Sequence, residues 1–215
     1  MATVKTPGVF EGYSGKLGNL VFRQTPQGTQ MIERVRPKQP NTPAQMAVRE
    51  RMRQAGKAWR GMTLEQAMAW KAYAQQQGRD PRGFVMDANN VFIRLAVRVL
   101  QVNPNAEIPL VPPSTPFSGD AVAASLSAAP GAVNLPVTQG NAPGVVTEVL
   151  VQRLASVHRA AYPEKFRSAG FSAWASGGMV SVPLSPGVYA VAIRTVKSAT
   201  GQSGQLMELG RAVVS

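Results

Sequence analysis

Leu184-Ser185-Pro186-Gly187-Val188-Tyr189-Ala190-Val191-Ala192-Ile193 is the stretch on which the fold turns. Ser185, Pro186 and Gly187 are turn formers: proline presets one backbone angle and glycine tolerates conformations that other residues avoid. Beyond the turn the text is strand-like, and a two-residue period puts Tyr189, Val191 and Ile193 on one face. Working outward, Gly, Pro, Ser and Asn bound further apolar runs. The candidate strands are Ala121–Ser127, Ala132–Val137, Val145–Leu154, Gly170–Ala173, Met179–Leu184, Val188–Val196 and Leu206–Val214. Short strands at this density, separated by turn signals, predict an antiparallel β-sandwich.

The segment around Tyr189 resembles the tyrosine-corner segment of fibronectin type III domains, and the likeness extends over about residues 115–214. The resemblance implies that the turn delivers Tyr189 to the start of a strand, where its hydroxyl bonds nearby backbone. The Pro-Pro-Ser-Thr-Pro run at residues 112–116 fits that family as well. Two features depart from it. Val133-Asn134-Leu135-Pro136-Val137 lacks the family's second-strand tryptophan, and Pro136 should interrupt the ladder there. A sandwich of this kind binds or spaces and implies no reaction.

Charge and proline divide the 215 residues. Residues 1–100 hold 16 Lys/Arg against 6 Asp/Glu, a net of +10, and residues 101–215 hold 7 against 5, a net of +2. Between Asn103 and Phe117 five prolines remove backbone donors and favour an extended, semi-rigid linker. The expected organisation is an arm and hairpin over residues 1–40, a basic helical module over 41–102, the linker over 103–117 and the sandwich over 118–215. The fold class is α+β.

In the first part, Leu17 to Gln24 and Met31 to Val35 read as strands, joined through Thr25-Pro26-Gln27-Gly28-Thr29. Gly8, Gly12, Gly15 and Gly18 make the preceding segment a pliable arm. Two strands alone are marginal in water, so this hairpin must lean on another surface. Three helices should follow. Thr42-Pro43-Ala44-Gln45 fits a capping box and opens a helix to about Arg60; Thr63-Leu64-Glu65-Gln66 opens a second that stops at Gly78. A third starts after Asp87, buries Phe92, Leu95, Ala96 and Val99 on one face, and ends at Asn103-Pro104. Trp59, Trp70, Met46, Met52, Met62 and Met68 are expected to pack between the first two helices. The competing role for the methionines is an adaptable binding surface.

A second resemblance covers roughly residues 10–75. It rests on Ser14-Gly15-Lys16-Leu17-Gly18-Asn19, Arg34-Val35-Arg36-Pro37, Asn41-Thr42-Pro43-Ala44-Gln45, Arg49, Trp59-Arg60 and Trp70. These residues are similar to a group of phage and prophage structural proteins, several with a C-terminal β-sandwich. The resemblance implies a virion component, placed in the virion or in the bacterial cytoplasm during assembly, with no catalytic role. It carries over no functional residues.

Chemistry-bearing patterns are sparse. There is no cysteine, which removes disulfides, thiolate metal sites and a cysteine nucleophile. His158 is the one histidine and reads as a surface loop residue. Gly12-Tyr13-Ser14-Gly15-Lys16-Leu17 lacks the spacing of a phosphate-binding P-loop. Asp87 is better explained as a helix cap, and Asp80 lies before a proline. No cofactor, metal or catalytic residue is expected. No run reaches the length of a membrane span, and Met1 to Gly18 lacks the apolar stretch of a signal peptide.

The remaining signal is basic. Arg49, Arg53, Lys57 and Arg60, spaced 4, 4 and 3, line one helical face, with Arg34, Arg36 and Lys38 just before it. Like charges in a row repel one another, which points to an anionic partner. Neighbouring protein subunits, in a homo- or hetero-oligomeric assembly, are the first expectation, and non-specific nucleic acid is the second. The Arg94/Arg98 pair on the third helix reads as solvent-exposed. The expected function is therefore a non-catalytic assembly protein, phage-like, at a capsid surface or in a tail. The alternatives are a nucleic-acid-binding accessory protein using the basic helix, or a carbohydrate- or cell-surface-binding module using the sandwich.

Overall fold

The computed structural model describes residues 2–4, 14–25, 28–34, 39–77 and 86–215. Arg36 and Lys38 of the basic set lie outside the described residues, as do Gly8, Gly12, Pro26, Gln27, Val35, Gly78 and Asp80. The chain divides into two compact units, Met1–Pro43 and Ala44–Ser215.

The first unit is a four-stranded antiparallel sheet. Its strands are β1 (Ala2–Val4), β2 (Gly15–Leu17), β3 (Leu20–Thr25) and β4 (Gly28–Glu33), in the order β1-β4-β3-β2. β3 and β4 are the expected hairpin, in register from Leu20 opposite Glu33 to Thr25 opposite Gly28. Gly28 closes it at φ +118°, and the Thr25 hydroxyl donates to the Gly28 carbonyl at 2.8 Å. The arm expectation is corrected at its described ends, and its middle, residues 5–13, lies outside the described residues. Ala2–Val4 pairs along β4, and Gly15–Leu17 folds back on β3 through a turn in which Gly18 adopts φ +59°. Each edge of a two-stranded hairpin presents unpaired amides and carbonyls, and these strands satisfy them. The described residues supply it with little core. Among the described residues of this unit Thr29 is the one buried side chain, and Val21, Phe22, Met31 and Ile32 are half-buried.

The second unit begins with helices α1 (Pro43–Arg60), α2 (Leu64–Gln76) and α3 (Ala88–Val102). The start signals work as chemistry demands. The Thr63 hydroxyl accepts from the Gln66 amide at 3.3 Å, and the Gln66 side chain accepts from the Thr63 amide at 3.0 Å. Asp87 accepts from the Asn89 amide at 3.2 Å. Phe92, Leu95, Ala96 and Val99 are all buried. Trp70 meets Phe92 edge-on with ring centroids 5.1 Å apart, and Trp59 lies 5.5 Å from the same ring.

Residues 103–117 form neither helix nor strand, yet they are fastened to what they connect. The Trp70 indole donates to the Leu110 carbonyl at 2.9 Å, and Ile108 packs on the helical core. The Gln202 side-chain amide donates to the Thr115 carbonyl at 2.9 Å.

The rest is a β-sandwich. β5 (Ala123–Ala124), β6 (Ser127–Ala129), β7 (Ala132–Gln139) and β10 (Met179–Pro183) make one sheet, with β7 central and β10 on one side. β8 (Val145–Leu154), β9 (Arg167–Ser172), β11 (Gly187–Lys197) and β12 (Met207–Val214) make the other, in the order β12-β11-β8-β9. All pairings are antiparallel, and the strand order is that of a fibronectin III or immunoglobulin-like sandwich. Val133, Leu135 and Val137 from one sheet meet Val149, Tyr189, Val191 and Ile193 from the other in the main core.

Three details refine the sequence expectations. The Tyr189 hydroxyl pairs with the Ser185 hydroxyl at 3.0 Å, a side-chain partner where backbone was expected. Pro136 leaves β7 continuous and splits its neighbour. Its carbonyl accepts from the Ser125 amide at 3.0 Å, but it has no N–H to return, so the expected strand Ala121–Ser127 breaks into β5 and β6. Strand β9 starts earlier than expected, at Arg167. The register shifts between Val149 and Leu150, beside Gly170 at φ +149°, and this bulge extends the pairing. The core tryptophan that β7 lacks is supplied elsewhere. Trp174, just after β9, is buried, and its indole donates to the Ser172 hydroxyl at 2.9 Å.

Candidate functional site

Helix α1 carries the basic stripe, and the structure modifies it. Arg49, Arg53, Lys57 and Arg60 fall on one side of Pro43–Arg60 and are exposed. The stripe is not four uncompensated charges. The Arg53 guanidinium donates to both oxygens of Glu50, at 2.6 and 2.8 Å, and the Gln54 amide adds a third bond at 2.9 Å. These bonds, Arg53 first, hold the Glu50 carboxyl well below the usual range, at about 2. Arg51 turns back to the Ala47 carbonyl at 3.1 Å. Arg34 belongs to the N-terminal unit, where its amide donates to the Asn19 carbonyl at 2.8 Å and closes the β3–β4 sheet end.

The methionine expectation divides. Trp70 is buried, and Trp59 and Met62 pack against the helical core. Met46, Met52 and Met68 do not: they are 52%, 50% and 62% exposed. The reason is geometric. Val48, Met52, Ala55 and Trp59, spaced 4, 3 and 4, form one apolar stripe, and the core covers only its C-terminal half. Every residue from Pro43 to Glu50 is exposed. On α2, Met68 sits two positions from buried Trp70, which is about 200° around the helix and therefore on the opposite side. On α1 Met46 lies among the basic heads, while Met52 belongs to the neighbouring apolar stripe. Met46, Arg49, Glu50 and Arg53 line a shallow hollow of about 500 Å³ there.

Sequence reasoning missed a second basic cluster. Arg94 is exposed, as expected, but Arg98 is half-buried and reaches the sandwich. It donates to the Ser203 hydroxyl at 2.6 Å and to the Gly201 carbonyl at 3.4 Å. Directly beneath lies Arg194 of β11, opposite Glu148 of β8, with their guanidinium and carboxylate joined at 3.0 Å. One signal could have found this pair. Arg194 and Glu148 are opposite charges set within two largely apolar strands, away from Arg153 and Lys197 near the strand ends, and such charges are rarely buried unless paired.

The expected His158 position is a surface loop, and there it is exposed. Among the described residues no helix is long and apolar enough to cross a membrane.

No family model and no curated protein matches the chain. Among solved structures, the chicken interferon gamma receptor alpha chain aligns at TM-score 0.30 and 13% identity, over 43% of this chain and 50% of that one. The chain thus spans about half the length of that receptor. Entomopoxvirus fusolin, alone and in complex with zinc, aligns at TM-score 0.28 with 12% and 11% identity, over 82% of this chain and 67% of that one. Likenesses this distant carry no functional argument.

Proposed function

We propose that this protein is a non-catalytic structural or assembly component, phage-like in kind, placed at a capsid surface or in a tail and acting through subunit interfaces. The observation that carries this reading is the N-terminal sheet. Four strands with no buried apolar side chain among the described residues are poorly stabilised by their own packing. Half-buried Val21, Phe22, Met31 and Ile32 gain most when a further surface covers them.

Helix α1 supports the same reading. Its exposed methionines adapt to an apolar surface, and Arg49, Lys57 and Arg60 beside them suit an acidic one. A chain of net charge +12 does not favour pairing two copies of this basic face, so α1 fits an acidic neighbour subunit. The likeness of residues 10–75 to phage structural proteins agrees with this placement. The sandwich then serves as a presented module.

A second reading is non-specific nucleic-acid binding, favoured by the exposed stripe and weakened by the closure of Arg53 on Glu50. The test compares the solution mass of the full chain with that of a chain starting at residue 41. A higher-order species that depends on residues 1–40 supports the assembly reading. An oligomeric state unchanged by their removal overturns it.

A further inference from the structure

The three arginines absent from the sequence-level site surround a cavity. It measures about 390 Å³ and lies where α2, α3, the 103–117 segment and the β11–β12 connection meet, all within the second unit. Arg94 and Arg98, one turn apart on α3, stand on one side, and Arg194 of β11 stands on the other. Among the described residues no carboxylate lines it. Glu148 lies behind Arg194 and answers one of the three charges. The cavity wall therefore carries a surplus of two positive charges in a partly desolvated place.

The surplus adds to the effect of burial on Arg98. Burial, and then repulsion from Arg194 and Arg94, lower the Arg98 guanidinium to about 10, with Glu148 offsetting part of it. Arg98 stays charged at neutral pH, so the repulsion persists. Hydrogen bonds commit Nη1 of Arg98, Nε and Nη2 of Arg194, and Nη1 of Arg94, which donates to the Met86 sulfur at 3.6 Å, out of five N–H groups on each. The Tyr73 hydroxyl adds a neutral donor to the wall: it accepts from the Gln202 amide at 3.5 Å, whose other N–H goes to the Thr115 carbonyl, and keeps its own O–H to give.

We propose that this cavity is a binding site for a phosphate group, held by Arg94, Arg98 and Arg194. A phosphate monoester carries about two negative charges at neutral pH, which matches the surplus. A single carboxylate would leave one positive charge unanswered. Guanidinium forks match phosphate oxygens in geometry as well as in charge. The group can come from free phosphate or from a small phosphate ester. Phe117 and Pro116 at the rim give an ester's organic part an apolar surface.

The experiment is calorimetric titration of the full chain with inorganic phosphate and, separately, with a nucleoside monophosphate, against chloride at equal ionic strength. Saturable binding of one phosphate per chain is expected, about tenfold or more weaker in Arg94→Gln, which removes one charged hydrogen-bonding group. Arg94 is exposed, so this variant keeps the fold, and Arg98→Lys keeps a charge there while removing the fork. Tighter binding of the monophosphate assigns the ester as source; equal binding assigns the free ion. Phosphate behaving as chloride overturns the site. So does binding that survives Arg94→Gln and Arg98→Lys unchanged, or that is lost instead in Arg49→Gln on α1.

Discussion

Gly201 faces Leu95 so closely that a Cβ added to it would lie 2.2 Å from the Leu95 carbonyl oxygen. The contact joins the β11–β12 connection of the sandwich to the backbone of α3, so the helices are seated on the sandwich rather than tethered to it. Gly201 also adopts φ +71°, a conformation that disfavours any Cβ. Gly201→Ala should therefore destabilise the chain by about 3 kcal/mol, combining backbone strain with overpacking. Gly177 is the control: it has φ +77° and open space where the Cβ would go, so Gly177→Ala should cost only about 1 kcal/mol. Urea unfolding of both variants checks the difference.

The Glu148–Arg194 pair predicts a second loss. The Glu148 side chain is 4% exposed, lies behind Arg194 and also offsets part of the repulsion on Arg98. Glu148→Gln leaves three cations without an answering charge and should cost about 3 kcal/mol. The midpoint of urea unfolding should fall with little change in slope. An unchanged midpoint would show that the pair contributes nothing net.

Glu50 gives a pH signature. Hydrogen bonds from Arg53 and then Gln54 lower its carboxyl to about 2, so the charged form is favoured in the folded helix. The sign follows. The stabilisation is fully present above the ordinary carboxylate range and fades as pH falls through about 2. Carbon-detected NMR titration should place the Glu50 midpoint near 2, and Arg53→Gln should raise it toward the ordinary range. A wild-type midpoint already in that range would show that the Arg53 contact does not persist in solution.

The exposed methionines separate folding from assembly. Replacing Met46, Met52 and Met68 with serine removes no buried side chain. Unfolding free energy should stay within about 0.5 kcal/mol per site, as for surface substitutions generally. Association should weaken, as read by the concentration dependence of sedimentation. A large loss of stability with unchanged association would make these residues core after all.

Much of the fold was legible because local signals agreed with tertiary packing. Val145–Leu154 emerges with the boundaries its apolar run and flanking Pro-Gly and Ser suggest. Thr63 and Asp87 cap helices because their oxygens accept amides three and two residues on, a purely local event. What was not legible depended on distant partners. The α1 stripe from Val48 to Trp59 has one periodicity throughout, and only the placement of Phe92 and its neighbours decides which half is covered. Trp174 sits beside a short strand, and nothing nearby in sequence says that it fills the sandwich core. Arg98 looks solvent-facing on its own helix. It is covered because the β11–β12 connection lands on it.

The most direct test of the assembly account is the sedimentation mass of the full chain at low and moderate salt, with and without duplex DNA. The account predicts a defined oligomer, or co-sedimentation with an acidic virion subunit, that forms without DNA. A monomer that gains mass only with DNA, and releases it as salt rises, would contradict the account and identify the basic helix as a nucleic-acid surface.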